Sequence, residues 1–325
     1  MTIVIAVLVF GLLIFIHELG HYVAARIFHV RVFEFAIGMG PKLIWYESKK
    51  TGIVYALRMI PFGGFVSMEG GLSEDANAEE ALRDMPEPLR DPRLGALASK
   101  PAWQRLIVHA AGALQNLLFG FLICVILTCT MTAGGTEIGA FRPVEGETVT
   151  SEEQGLMVGD EVIRVGSRRV YIAEQLYYEI VHQGGTDKPL TLTVRRDGEV
   201  RTFDITFPTQ KENGETFGVI DFVPYAVHKD FGTVVTQSFH RAGYLVRMVW
   251  DSIIDLVTGR YSLRAVSGPI GTAGVISDAA KSGFNTLLLL PALISVNLGI
   301  FTLLPLPVLD GGHIFYTLIE LVSRR

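Results

Sequence analysis

Apolar and polar positions divide the chain into long uncharged runs separated by mixed stretches. Residues 1–16 carry no charged side chain, and the apolar pattern continues to about Phe28. Leu106–Thr136 and Ser282–Leu309 likewise contain no Asp, Glu, Lys or Arg. Crossing a bilayer takes roughly 20 apolar residues, so three membrane spans are predicted. The first run has no basic stretch before it, which predicts a retained span rather than a cleaved leader. After it, "IVYALRMIPFGGFVSM" alternates around Pro61-Phe62-Gly63-Gly64 and predicts a membrane-associated β-hairpin. Residues 71–98, with "EDANAEEALRDMPEPLRDP", read as a mobile polar linker.

Between the second and third runs the pattern turns soluble. "PLTLTVRRDGEVRTFDITF" alternates on either side of Asp197-Gly198, a two-residue hairpin signal. Upstream, "SEEQGLMVGDEVIRVGSRRV" predicts a helix cap, a Gly-rich turn and two short strands. "YIAEQLYYEIVHQGG" predicts a helix ended by Gly184-Gly185. Farther on, Val234, Phe239, Leu245, Met248, Val249, Ile253 and Leu256 recur at helical intervals with charges opposite. That predicts an amphipathic helix lying on the membrane surface or packed on the spans.

Composition agrees with a membrane protein: 49% of the 325 residues are hydrophobic. The net charge of −5 leaves no basic footprint for nucleic acid. Cys124 and Cys129 both sit in the second apolar run, so no disulfide framework is implied. Arg26 and Arg31 follow the first span, Lys100 and Arg105 flank the start of the second, and Arg324 and Arg325 follow the last run. The positive-inside rule then puts residues 29–105 and the C-terminus in the cytoplasm and residues 132–284 outside.

Inside the first apolar run stands "HELGH" at 17–21. On a helix His17 and His21 project from one face, one turn apart, a spacing that lets two neutral imidazoles hold one zinc ion. Glu18 lies about 100° round the helix, beside the ion, where it can take a proton from the attacking water and deliver it to a leaving amine. The pattern is the metalloprotease signature, with a false-positive risk that its setting reduces: ionisable residues within a span mark function. A third ligand is needed. Asp310 closes the last uncharged run among Pro305, Pro307, Gly311 and Gly312, which break a regular helix. At 1.5 Å per residue the histidines and Asp310 both reach the cytoplasmic end of a core roughly 30 Å thick. The edge of the hairpin at Gly63 and Gly64 can pair with an unwound stretch of substrate.

The order of elements around "GLMVGDEVIRV" resembles a PDZ domain over 135–208, a module that binds extended peptides or chain ends. The whole chain resembles a site-2 protease, the intramembrane zinc metalloprotease family, in its bacterial regulator-of-sigma-E form with one PDZ domain. The matching pieces, in order, are "HELGH", "GMGPKL" at 38–43, "IPFGGFVSMEG" at 60–70, "AGALQN" at 111–116, the PDZ segment, "SGPIG" at 267–271 and "LPLPVLDGG" at 304–312. The resemblance implies zinc held by His17, His21 and Asp310, with Glu18 as catalytic acid and base. It also implies cleavage of single-span membrane proteins already trimmed by another protease, such as anti-sigma factors or remnant signal peptides, in regulated intramembrane proteolysis at the bacterial inner membrane. Thr302 stands where the family commonly has Asn, and one hydroxyl donor replaces two N–H donors in supporting substrate or transition state. Ala113 replaces a frequent proline. The chain stops at Arg325, before the fourth span many relatives carry.

The expected fold is therefore a polytopic α-helical membrane protein with an inserted extracytoplasmic PDZ domain, β-rich α+β in class. Its parts are a first span at 1–28, a cytoplasmic hairpin and linker at 29–105, and a second span at 106–134. The PDZ domain follows at 135–208, a membrane-surface helical region at 209–284, and the third membrane region at 285–325. The expected partners are single-span substrates, a peptide or chain terminus at the PDZ domain, and the lipid bilayer. The rival reading is a membrane-anchored PDZ adaptor with an inert metal site, for which Thr302 is the best support.

Overall fold

The structure, a computed structural model, describes residues 2–70, 85–142, 151–185, 188–212, 215–259 and 284–323. "SGPIG" and residues 71–84 lie outside the described residues. The chain forms two compact units, residues 1–123 with 249–325, and residues 124–248.

The first unit is built on helices. Helix α1 (Thr2–Ile27) and helix α2 (Ala102–Thr130) are long and apolar enough to cross a membrane. Along α2, Leu114, Leu118, Leu122 and Ile126 recur every four residues and are each about half exposed. Lipid is the solvent that suits such a stripe. Small residues let the helices touch. A side chain at Gly20 would strike the Ala111 carbonyl, and one at Gly299 would press on the Ala113 carbonyl.

The third apolar run is helical at first and then breaks before Asp310, where prolines and glycines cluster. Helix α5 (Phe284–Thr302) carries a shorter apolar stretch, Leu287–Thr302, and ends well before Leu309. Residues 303–309 turn, and helix α6 (Asp310–Ser323) begins at the aspartate. Pro305 and Pro307 lack the N–H that a continuing helix needs. Gly311 and Gly312 pack against the carbonyls of Leu303, Leu304 and Leu306, too tightly for any Cβ.

Strands β1 (Val32–Glu47) and β2 (Val54–Met68) pair into a folded ribbon. Residues 34–37 have 64–67 on one side and 54–57 on the other, and 54–58 pairs in turn with 42–47. Gly38, Gly40 and Gly63 take positive φ where the strands bend, a conformation that costs glycine little. The polar linker expected at 71–98 is corrected over its described part. Met85, Leu89 and Leu97 are buried in the same core as Val32, Phe35 and Val66. Three apolar residues among many charges were enough to dock this stretch.

The second unit is a β-rich α+β body. Strands β3 (Gly134–Phe141), β4 (Glu161–Val165), β5 (Arg168–Arg169), β6 (Leu190–Arg196) and β7 (Glu199–Ile205) form an antiparallel sheet with β10 (Phe222–Ala226), in the order β10-β3-β4-β6-β7 with β5 on β4. Leu190, Leu192 and Val194 point inward on β6 while Thr191 and Arg195 point out. Each such burial is worth about 1.5–3 kcal/mol. Asp197 and Gly198 both have positive φ in the β6–β7 turn. Helix α3 (Ala173–Gln183) packs Leu176 and Ile180 onto this core. Strands continue beyond the expected boundary at 208: β8 (Thr209–Glu212) and β9 (Glu215–Gly218) pair as a separate two-stranded sheet, and β10 pairs with β3. Residues 209–212, 215–218 and 222–226 are therefore strands, not part of the helical region expected at 209–284.

Helix α4 (Phe231–Val257) reverses part of its expected amphipathic face. Phe239 is exposed, whereas Arg241 is buried, bonded to Glu174 and donating to Thr128 Oγ1 at 2.7 Å. A buried arginine with two partners outweighed one phenylalanine's preference.

Candidate metal centre

Three ionisable side chains from opposite ends of the sequence converge in the first unit. His17 Nε2 and His21 Nε2 lie 3.2 Å apart on α1. Asp310 Oδ2, at the start of α6, lies 3.1 Å from the first and 3.4 Å from the second. Their side chains are 12%, 6% and 9% exposed. The break at 303–309 is what allows this. It turns the chain so that a new helix starts with its carboxylate beside α1.

The triangle fits a zinc ion. Ligands about 2.0–2.1 Å from a tetrahedral centre are about 3.3–3.4 Å from each other. Two imidazoles and one carboxylate leave one position open, the pattern of a catalytic zinc. The electrostatics argue the same way. His21 Nδ1 bonds to the Val108 carbonyl at 2.8 Å, an acceptor only, so this nitrogen carries the proton. A neutral His21 then turns a lone pair from Nε2 toward Asp310 Oδ2, which is buried without a hydrogen-bond partner among the described residues. Two lone pairs facing each other at 3.4 Å repel unless a proton or a metal ion lies between them.

The other expected residues are placed less uniformly. Gly64 on β2 lies against Glu18: a Cβ there would be 3.0 Å from Glu18 Cγ and 3.1 Å from Ile14 Cγ2. Gly63 packs against Met39 instead. Thr302 Oγ1 donates back to the Leu298 carbonyl at 2.9 Å within its own helix.

Two residues at the centre had no role in the sequence reading, although both fall within or beside "AGALQN". Gly112 on α2 faces the ligands so closely that a Cβ would meet His21 Nε2 and His17 Nε2. Asn116, one turn on and fully buried, meets His17 Nδ1 at 3.2 Å. Their spacing of four within the uncharged run 106–136 was the available signal, and it is too common a spacing to read alone.

Comparison with known proteins gives the family. The family model described as "Peptidase family M50" matches residues 5–325. A protein of Fusobacterium nucleatum named "Putative zinc metalloprotease" is 30% identical over all of this chain and 90% of its own length. A Clostridium acetobutylicum protein with the same description is 32% identical over all of this chain and 88% of its own. "Zinc metalloprotease RasP" of Geobacillus kaustophilus is 29% identical, covering all of this chain and 90% of its own. With a family match from residue 5 to residue 325, the chain belongs to peptidase family M50, the membrane-embedded site-2 proteases, which are zinc metalloendopeptidases.

Proposed function

We propose that this protein cuts within the membrane segments of pre-trimmed single-span proteins, of the anti-sigma factor or remnant signal peptide type, in regulated intramembrane proteolysis. The observation that carries the reading is the His17–His21–Asp310 triangle, set on apolar helices with Glu18 next to it in sequence. Zinc, when bound there, supplies Lewis acidity that polarises the scissile carbonyl and makes water nucleophilic at neutral pH. The Glu18 carboxylate takes the proton from the attacking water and returns it to the departing nitrogen.

The ribbon offers the substrate a place to unwind. Among the described residues the strand pairing of 64–66 is with 35–37, and Gly64 lies against Glu18. A substrate strand added there would bring a carbonyl within reach of the base, and a helix must open before its carbonyls can be attacked. Gly63 keeps the bend that presents this edge.

The second unit supports a PDZ-type role. A cavity of about 520 Å³ lies beside α3 and β9, lined by Tyr177, Val181, Phe217, Gly218 and Ile220 among others. An extended peptide or chain terminus fits such a groove, and the unit would admit substrates only after trimming. The reading places the protein as a multi-pass bacterial inner-membrane enzyme, with the metal near the cytoplasmic side and the second unit outside.

A reporter with one membrane span, co-expressed with wild type and with Glu18→Gln, tests the reaction. Glu18→Gln is expected to keep its zinc and lose about 10²–10⁴-fold in cleavage. Unchanged cleavage would overturn the role of Glu18. The adaptor reading draws on Thr302, whose hydroxyl is engaged by its own helix. Wild-type protein that binds zinc, binds substrate and never cuts it would establish that alternative.

A further inference from the structure

The two histidines of the triangle are steadied from the same neighbour. His21 Nδ1 bonds to the Val108 carbonyl at 2.8 Å, and His17 Nδ1 meets the Asn116 side-chain amide at 3.2 Å. As α1 runs from 17 to 21, its contacts on α2 run from 116 back to 108, two antiparallel helices in register. Asn116 is itself fixed. It is completely buried, and its backbone carbonyl accepts a bond of 2.8 Å from Ser295 Oγ on α5.

The orientation of the amide decides the chemistry. With Nδ2 turned to the ring, His17 Nδ1 is the acceptor, the ring proton sits on Nε2, and the nitrogen in the triangle has no lone pair for a metal. Asn116 Oδ1 is then buried without a partner among the described residues. A half turn about Cβ–Cγ exchanges two groups of nearly the same shape. Oδ1 then accepts from Nδ1–H, and Nε2 presents its lone pair beside those of His21 and Asp310.

We propose that Asn116 is a positioning residue whose side-chain carbonyl accepts the Nδ1–H of His17, holding that ring in the tautomer that ligates through Nε2. It does for His17 what the Val108 backbone carbonyl does for His21. A side chain serves here because α2 and α1 leave room for one at this level, whereas Gly112, between the two, has none. Partners of this kind typically govern metal affinity by about 10–100-fold.

The proposal rests on reading the triangle as the zinc site, and one set of experiments separates the two. Purified full-length protein in detergent is titrated with zinc against a chromogenic chelator, in wild type, Asn116→Leu and Asn116→Asp. Asn116→Leu fills the space and accepts nothing; it is expected to weaken zinc binding about 10–100-fold, while Asn116→Asp, still an acceptor, stays much closer to wild type. Equal affinity in folded Asn116→Leu overturns the role of Asn116. Wild type that takes up no zinc overturns the metal centre instead. Should Asn116→Leu fail to fold, nitrogen NMR of zinc-loaded, histidine-labelled wild type reads the tautomer directly. The proposal expects a proton on His17 Nδ1; a proton on Nε2 overturns it.

Discussion

Gly112 and Gly64 both border the candidate centre, and each excludes a methyl group for a different reason. At Gly112 the methyl would occupy the space in front of the two Nε2 atoms. Gly112→Ala is expected to purify with far less than one zinc per chain and to lose cleavage; elemental analysis is the check, and stoichiometric tightly held zinc would contradict it. At Gly64 the methyl would press on the stem of Glu18 and on Ile14, away from the ligand atoms. Gly64→Ala is therefore expected to hold zinc normally and to cut the single-span reporter at least several-fold more slowly. A matching loss of zinc would mean that the ribbon supports the metal and not the base.

Among the elements, the Asp160–Arg196 pair shows what the second unit depends on. Asp160 is fully buried, and Arg196 donates to it through Nε at 2.6 Å and Nη2 at 2.7 Å, while Met157 N donates at 2.9 Å. Removing one partner leaves a buried charge, so Asp160→Ala is expected to destabilise this unit by about 3–5 kcal/mol, seen as a lowered unfolding midpoint by near-UV circular dichroism. Elements of this unit were legible where one local rule decided them. Period-two alternation marked β6 and β7, and Asp-Gly marked their turn. The helix of α3 was legible from its apolar spacing and its glycine stop. What escaped were features that distant partners decide. Leu89 and Leu97 look isolated in a charged stretch until the hairpin core receives them. Arg241 belongs to the polar face of α4 until Glu174 and Thr128 bury it. At the centre, histidines four apart on an apolar helix announce themselves, and Asp310 stands out in an apolar run. Gly112 and Asn116 do not, because glycine and asparagine in a helix have many uses and only the facing α1 selects one.

For the whole molecule, the site joins elements that no local interaction holds. Chelation should abolish reporter cleavage, and added zinc should restore it, with the helical circular dichroism unchanged because α1, α2 and α5 pack without the ion. Orientation is tested with cysteines introduced in a Cys129→Ser background. Ser167→Cys is expected to react with an impermeant reagent on intact cells and Lys49→Cys only after they are opened; the reverse pattern would invert the topology.

The way the centre is divided along the chain bears on when the enzyme becomes dangerous. Both imidazoles leave the ribosome long before the carboxylate of Asp310, which completes the triangle. Until Asp310 is made, the nascent polypeptide carries HELGH without the third ligand of the proposed zinc site. A chain terminated before position 310 is therefore expected to hold zinc poorly and to leave the single-span reporter uncut, so the order of translation itself delays arming.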